Sequence, residues 1–197
     1  MSDETPTVLV VEDERDLAEL YTTWLAESYH VRTAGDGREA LDELDEDVSV
    51  VLLDRRMHDL SGEEVLEAIR DRSIDCRVAM VTAVEPGTEI VDMAFDDYLV
   101  KPVSRDDIER TVSNLLVRNE YDEGIRQLFS LASKKALLES ETNPTAPVET
   151  EEYHRLLDDI DELRAELDDK LDRLGEDGDL TAVYRDLARD LDEKPDD

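Results

Sequence analysis

The chain has 197 residues, with 55 acidic side chains against 22 basic ones and a formal net charge of -33. That length holds one ordinary α/β domain and a smaller appendage. The charge argues against broad contact with nucleic-acid phosphates or an anionic membrane, since like charges repel unless basic residues are grouped locally.

The opening residues, Met1 to Pro6, are acidic and polar, unlike a leader peptide. Short apolar runs then alternate with amphipathic stretches. Val8–Val11, Val50–Leu53 and Val78–Val81 are rich in β-branched residues and end in polar ones, and Val31–Ala34 and Tyr98–Val100 are weaker runs of the same kind. Unbroken apolar runs are the mark of buried parallel strands, whose two faces are both covered. Between them, Asp16–Ser28 sets Leu17, Leu20, Tyr21, Trp24 and Leu25 on one helical stripe, and Arg38–Leu44 and Glu63–Ile69 do likewise. Asp36-Gly37 and Ser61-Gly62 read as turns opening helices. The predicted fold class is therefore α/β: a five-stranded parallel, doubly wound sheet. The lone Cys76 cannot form an intrachain disulfide; it reads as a small buried residue beside a strand and fits a reducing cytoplasm. No apolar run approaches the roughly 18 residues of a membrane span, and the expectation is a soluble, cytoplasmic protein without membrane contact.

After Pro102 the pattern becomes purely helical. Ser104 is a good N-cap with Asp106 and Asp107 behind it, and one or two long helices should run to about Glu141, the first completing the sheet domain. Residues 142–147 read as a linker or sharp turn. Tyr153, Leu156, Ile160, Leu163, Leu167, Leu171 and Leu174 then recur at three- and four-residue steps, which suits an antiparallel helical hairpin or a short coiled coil. Gly175 and Gly178 break that helix, and Leu180, Val183, Leu187 and Leu191 mark a last acidic one. The whole of this part is an all-α helical extension.

The chemistry gathers at strand ends. Glu12 and Asp13 follow the first strand and Asp54 the third. In an open parallel sheet these ends emerge on one edge, in the crevice where ligands bind. Three carboxylates there repel one another unless a cation joins them. Oxygen donors without His or Cys favour a hard ion, Mg²⁺ above all, which prefers few carboxylates, several waters and a phosphate oxygen. Thr82 ends the fourth strand with a hydroxyl, and Lys101 ends the fifth with an ammonium. Each alone is an ordinary loop residue, and Glu12-Asp13 alone could be a helix N-terminus. Acid, acid, hydroxyl and amine at the ends of four strands point instead to a metal and a phosphoryl group.

VLVVEDE, VLLDRRM, MVTA and YLVKP resemble the signature segments of response-regulator receiver domains, over about residues 7–118. The resemblance implies the flavodoxin-like strand order 2-1-3-4-5, for which a member of this family is a standard illustration. It makes Asp54 the phosphoacceptor. Asp13, Asp54 and the backbone carbonyl of Arg56 become Mg²⁺ ligands, with Glu12 supporting the metal through water. Lys101 becomes the phosphoryl contact, Thr82 the switch hydroxyl, Tyr98 the switch aromatic, Ala83 the small residue bordering the phosphate, and Lys101-Pro102 a cis peptide. It implies a sensor histidine kinase as donor and an output face made by the family's fourth helix, fifth strand and fifth helix. It also implies no activity beyond the chain's own phosphorylation and dephosphorylation. Two positions depart from the family. His58 stands where proline is usual and reads as a solvated loop residue, a local acid or base being the alternative. Arg56 stands where phosphoryl lifetime is tuned, and Arg55 and Arg56 are candidates to recognise donor or phosphate. An aspartyl-nucleophile phosphatase would carry a second acid two residues after the nucleophile, where this chain has Arg56.

The acidic, lysine-poor balance resembles proteins of salt-accumulating halophilic archaea. The extension resembles, by position, length and helical pattern, the HalX domain of haloarchaeal proteins, which implies a link to transcription. The division expected is a receiver domain over 1–118 and a HalX-like output or interaction domain over 119–197. Residues 105–141 carry six basic and eight acidic side chains, against seven and nineteen in 150–197. That charge, together with the high salt a halophile holds, favours protein contacts, through a homodimer or another signalling protein, over sequence-specific DNA binding.

Overall fold

The computed structural model describes residues 5–141 and 150–175, which form two compact units, one up to Leu116 and one from Val117 onward. The predicted linker at 142–147 and the predicted last helix at 180–191 lie outside the described residues.

In the first unit five strands, β1 (Thr7–Val11), β2 (His30–Ala34), β3 (Val48–Leu53), β4 (Arg77–Thr82) and β5 (Asp97–Val100), form one parallel sheet in the order β2-β1-β3-β4-β5. Side chains alternate across a strand, so the unbroken apolar runs feed two cores. Leu9, Val11, Val51, Leu53, Val78 and Met80 face one layer, covered by α2 (Gly37–Glu43) and α3 (Gly62–Asp71). Val8, Val10, Val50, Leu52, Ala79 and Val81 face the other, where α1 (Arg15–Leu25) packs with Ile108, Val112 and Leu115 of α4 (Arg105–Glu141). The sheet is thus doubly wound, as its strand pattern requires.

Local chemistry sets the helix starts. The Asp36 carboxylate accepts from the N–H groups of Arg38 and Glu39, and Ser61 and Glu64 form a reciprocal capping box. Ser104 and Asp107 exchange the same kind of bonds at the start of α4. Gly62 is needed for a further reason: a Cβ there would lie 2.2 Å from the carbonyl oxygen of Asp54. Gly62→Ala must therefore push α3 away from the loop after β3. Chemical denaturation should show a loss of about 1–3 kcal/mol, as for overpacked sites generally. Cys76 is buried beside β4, and burial pushes its thiol up to about 11. Iodoacetamide at pH 8 should accordingly label it slowly in the folded protein and rapidly in denaturant.

The resemblance implied a helix between β4 and β5, and the structure corrects this. Residues 83–96 hold only a 3₁₀ turn, Thr88–Asp92. Pro86-Gly87 breaks any helix begun before it, and Val84, Ile90 and Val91 are poor helix formers. The far end is tied down instead: Arg70 donates to the carbonyl of Ala94 and to the Asp96 carboxylate, which also binds Arg77 and the Val78 N–H.

In the second unit, α4 continues without a break to Glu141, and α5 spans Glu151–Gly175. Leu163, Leu167 and Leu171 pack on Tyr121, Ile125, Leu128 and Leu131. The pairs Lys170–Glu120 and Tyr153–Glu139 fix the two segments as antiparallel. This is the hairpin expected from the leucine spacing. Among the described residues no helix is long and apolar enough to cross a membrane.

Candidate functional site

Parallel register assembles the site. Val11 of β1 pairs with Leu53 of β3, so the next residues, Glu12 and Asp54, emerge side by side. The Asp54 N–H donates to the Val11 carbonyl at 3.0 Å and the Glu12 N–H to that of Ala34 at 3.0 Å, which fixes both backbones. Thr82 of β4 pairs with Val100 of β5, and the Lys101 N–H donates to the Thr82 carbonyl at 2.9 Å. Four strand ends thus deliver their side chains to one edge.

Glu12, Asp13 and Asp54 each offer a carboxylate oxygen, and the three lie within 4.8 Å of one another. Lys101 reaches in from β5: its Nζ donates to Glu12 Oε2 at 2.6 Å and to Asp54 Oδ2 at 2.8 Å. All three partners are largely buried, with side-chain exposures of 11% for Lys101, 2% for Glu12 and 9% for Asp54. Burial pushes the Glu12 carboxyl above its ordinary range, and the hydrogen bond and charge of Lys101 pull it only part of the way back. Burial also disfavours the Lys101 ammonium, but its bonds to Asp54 and Glu12 outweigh that and hold it above its ordinary value. The lysine therefore stays charged as the counter-ion of an overcrowded anionic site.

The remaining predicted residues lie around this centre. The Arg56 N–H donates to Asp54 Oδ1 at 3.1 Å, while its side chain is exposed. Arg55 is spent on Glu63 at 2.6 Å. Thr82 is buried, and its Oγ1 accepts from the Val84 N–H at 3.4 Å; Ala83 beside it is exposed. The Tyr98 hydroxyl donates to the Val84 carbonyl at 2.7 Å, and its ring packs on Phe95. Lys101-Pro102 is cis.

Two features escaped sequence reasoning. The Val84 backbone links the Thr82 and Tyr98 hydroxyls, and no side-chain pattern announces a main-chain bridge. His58 is 97% exposed, as a solvated loop residue should be, yet its Nδ1 lies 2.8 Å from Asp13 Oδ2. That contact spans 45 positions in sequence, so only the fold reveals it.

Comparison with known proteins agrees with this fold. Residues 8–113 match the response regulator receiver domain, and residues 117–184 match the HalX domain. The chain is 55% identical over 134 residues to a Haloferax volcanii protein named "Putative transcriptional regulator", an overlap of 68% of this chain and 23% of that one. It is 30% identical over 115 residues to the response regulator SaeR of Staphylococcus epidermidis, covering 56% of this chain and 50% of the relative. The chain thus spans half or less of the length of these relatives. Among solved structures, the response regulator TrrA of Thermotoga maritima, in complex with Mg²⁺ and BeF, is similar at 33% identity and a TM-score of 0.50. That likeness covers 56% of this chain and 99% of TrrA.

Proposed function

The chain belongs to the response regulator receiver family, and on that premise we propose that it takes a phosphoryl group from a sensor histidine kinase onto Asp54. We assign the receiver domain to residues 1–118 and a HalX-like output domain to residues 119–197. The observation that carries the reading is Lys101 held between Glu12 and Asp54, beside Asp13, in one buried edge of the sheet.

In this reading an Asp54 oxygen attacks phosphorus as the bond to the donor histidine nitrogen breaks, and the electron pair leaves with the imidazole. Lys101 turns from its carboxylate partners to an oxygen of the transferred group and neutralises its charge, so the rate gain comes from positioning and electrostatics. The donor set fits Mg²⁺: Asp13, Asp54 and the Arg56 carbonyl would hold the ion and Glu12 would support it, supplying charge neutralisation on the phosphoryl oxygens. Thr82 gives its hydroxyl to the phosphoryl group, and Tyr98 follows into the space released. Ala83 leaves room for the new group.

Output then passes through β5 and the helix that follows it, and shifts the population of the helical part. We place the protein in a cytoplasmic two-component system and read its helical domain as a site of protein contacts. Incubation with Mg²⁺ and acetyl phosphate, read by intact mass, tests the chemistry. One adduct per chain is expected. Turnover of a small phosphate ester, as a phosphatase would show, or no adduct even from a competent kinase, would overturn it.

A further inference from the structure

We propose that His58 is a positioning residue for Asp13: by occupying one oxygen of that carboxylate, it tilts the site towards Mg²⁺ and against Ca²⁺. The inference rests on the Mg²⁺ site assigned to Asp13, Asp54 and Arg56, and names what selects the ion there.

Of the three clustered carboxylates, two are held by a pair of donors each. Glu12 accepts from the Lys101 Nζ and the Glu14 N–H, and Asp54 from the Lys101 Nζ and the Arg56 N–H. Asp13 has neither kind of partner. Among the described residues its carboxylate meets His58 alone, whose Nδ1 lies 2.8 Å from Oδ2. A carboxylate only accepts, so Nδ1 carries the hydrogen and Nε2 faces solvent. Without that bond the Asp13 carboxylate is free to turn about its terminal torsion, which has broad minima. The loop backbone keeps His58 where it is. The Gly62 N–H donates to the Arg55 carbonyl at 3.1 Å. Within that span the Leu60 N–H donates to the His58 carbonyl at 3.0 Å, across Asp59, whose φ of 71° closes a tight three-residue turn. Proline, usual at this position, offers no side-chain donor.

The bond bears on which ion the site accepts. Ca²⁺ takes many oxygens in flexible arrays and often draws both from one carboxylate, whereas Mg²⁺ demands a near-ideal octahedron, keeps several waters and takes few carboxylate oxygens. With Oδ2 given to His58, Asp13 has only Oδ1 to offer a metal. That suits Mg²⁺ and denies Ca²⁺ the two-oxygen grip. The group of donor atoms within 4.8 Å of one another comprises Glu12, Asp13 and Asp54. His58 lies outside it and so acts through Asp13, as an outer partner that orients a ligand.

Amide NMR on the full chain, titrated separately with MgCl₂ and CaCl₂ at fixed ionic strength in KCl, reads both affinities from residues 12–14 and 54–57. His58→Ala should weaken Mg²⁺ binding about tenfold and Ca²⁺ binding much less, so the ratio of the two affinities falls. His58→Asn should restore the ratio, because the asparagine amide supplies a donor near the place of Nδ1. A loop that is merely loosened would lose both ions alike. Equal losses for the two ions, no loss for either, or a loss that His58→Asn leaves unrestored would overturn the role of His58. Asp13→Asn separates that outcome from a failure of the metal site itself, since it should remove the saturable shifts. Saturable shifts that persist in Asp13→Asn, or none in the wild type, would overturn the assigned site, and the role of His58 with it.

Discussion

Asp54→Ala is expected to abolish phosphorylation outright: with Mg²⁺ and acetyl phosphate the wild type gains about 80 Da and the variant gains nothing. The competing carboxylates are poorly placed to substitute. Glu12 is buried and hydrogen bonded to Lys101, and its raised pKa marks an anion ill at ease in its surroundings. Asp13 has His58 at one of its oxygens. Asp54 joins burial to a fixed geometry, with the Arg56 N–H on one carboxylate oxygen and Lys101 on the other. An adduct surviving Asp54→Ala would move the acceptor elsewhere, and peptide mapping would find it.

Lys101→Met should cost the fold about 3–5 kcal/mol at neutral pH, the usual penalty when one partner of a buried charge pair is removed. It leaves two buried carboxylates facing each other without a cation. The pH dependence has a definite sign. In the wild type, Lys101 is raised, so it contributes stability below its ordinary pKa and loses that contribution as pH climbs through the raised value. Glu12 is raised as well, so it favours the folded state below its ordinary pKa and loses that contribution as pH rises through the raised value. Without Lys101, Glu12 loses the two largest influences that lower it, and its carboxyl climbs further. The deficit of the variant should therefore be greatest at neutral pH and shrink as pH falls towards the ordinary carboxyl range. Denaturation series across that range measure it. Added Mg²⁺ should restore part of the loss, because a cation returns to the carboxylates. A deficit independent of pH would show that lost packing, and not charge, dominates.

Much of this was legible in the sequence because periodicity and position carry it. The apolar runs are strands because both faces of a parallel sheet are buried, and the residues that end those strands must meet at one edge. That logic brings Glu12, Asp13, Asp54 and Lys101 together from three separate stretches of chain. It could not find the contact of His58 with Asp13, nor the approach of Gly62 to the Asp54 carbonyl, because both depend on how loops close. The β4–β5 connection was misjudged for a different reason. A family pattern supplied a helix where this chain has Pro86-Gly87 and an Arg70 side chain drawing on the carbonyl that a helix would use.

That connection has a thermodynamic consequence. A helix shields its amides in a cooperative ladder, whereas a single 3₁₀ turn between exposed residues protects few and opens without disturbing the sheet. Residues 83–92 should therefore be among the first in this unit to exchange amide hydrogen with solvent. The Val84 backbone, which joins Thr82 to Tyr98, belongs to this weakly held segment. A modest difference in binding free energy suffices to redistribute a segment that few hydrogen bonds hold. Sensitivity in this protein is then a matter of how little has to be undone.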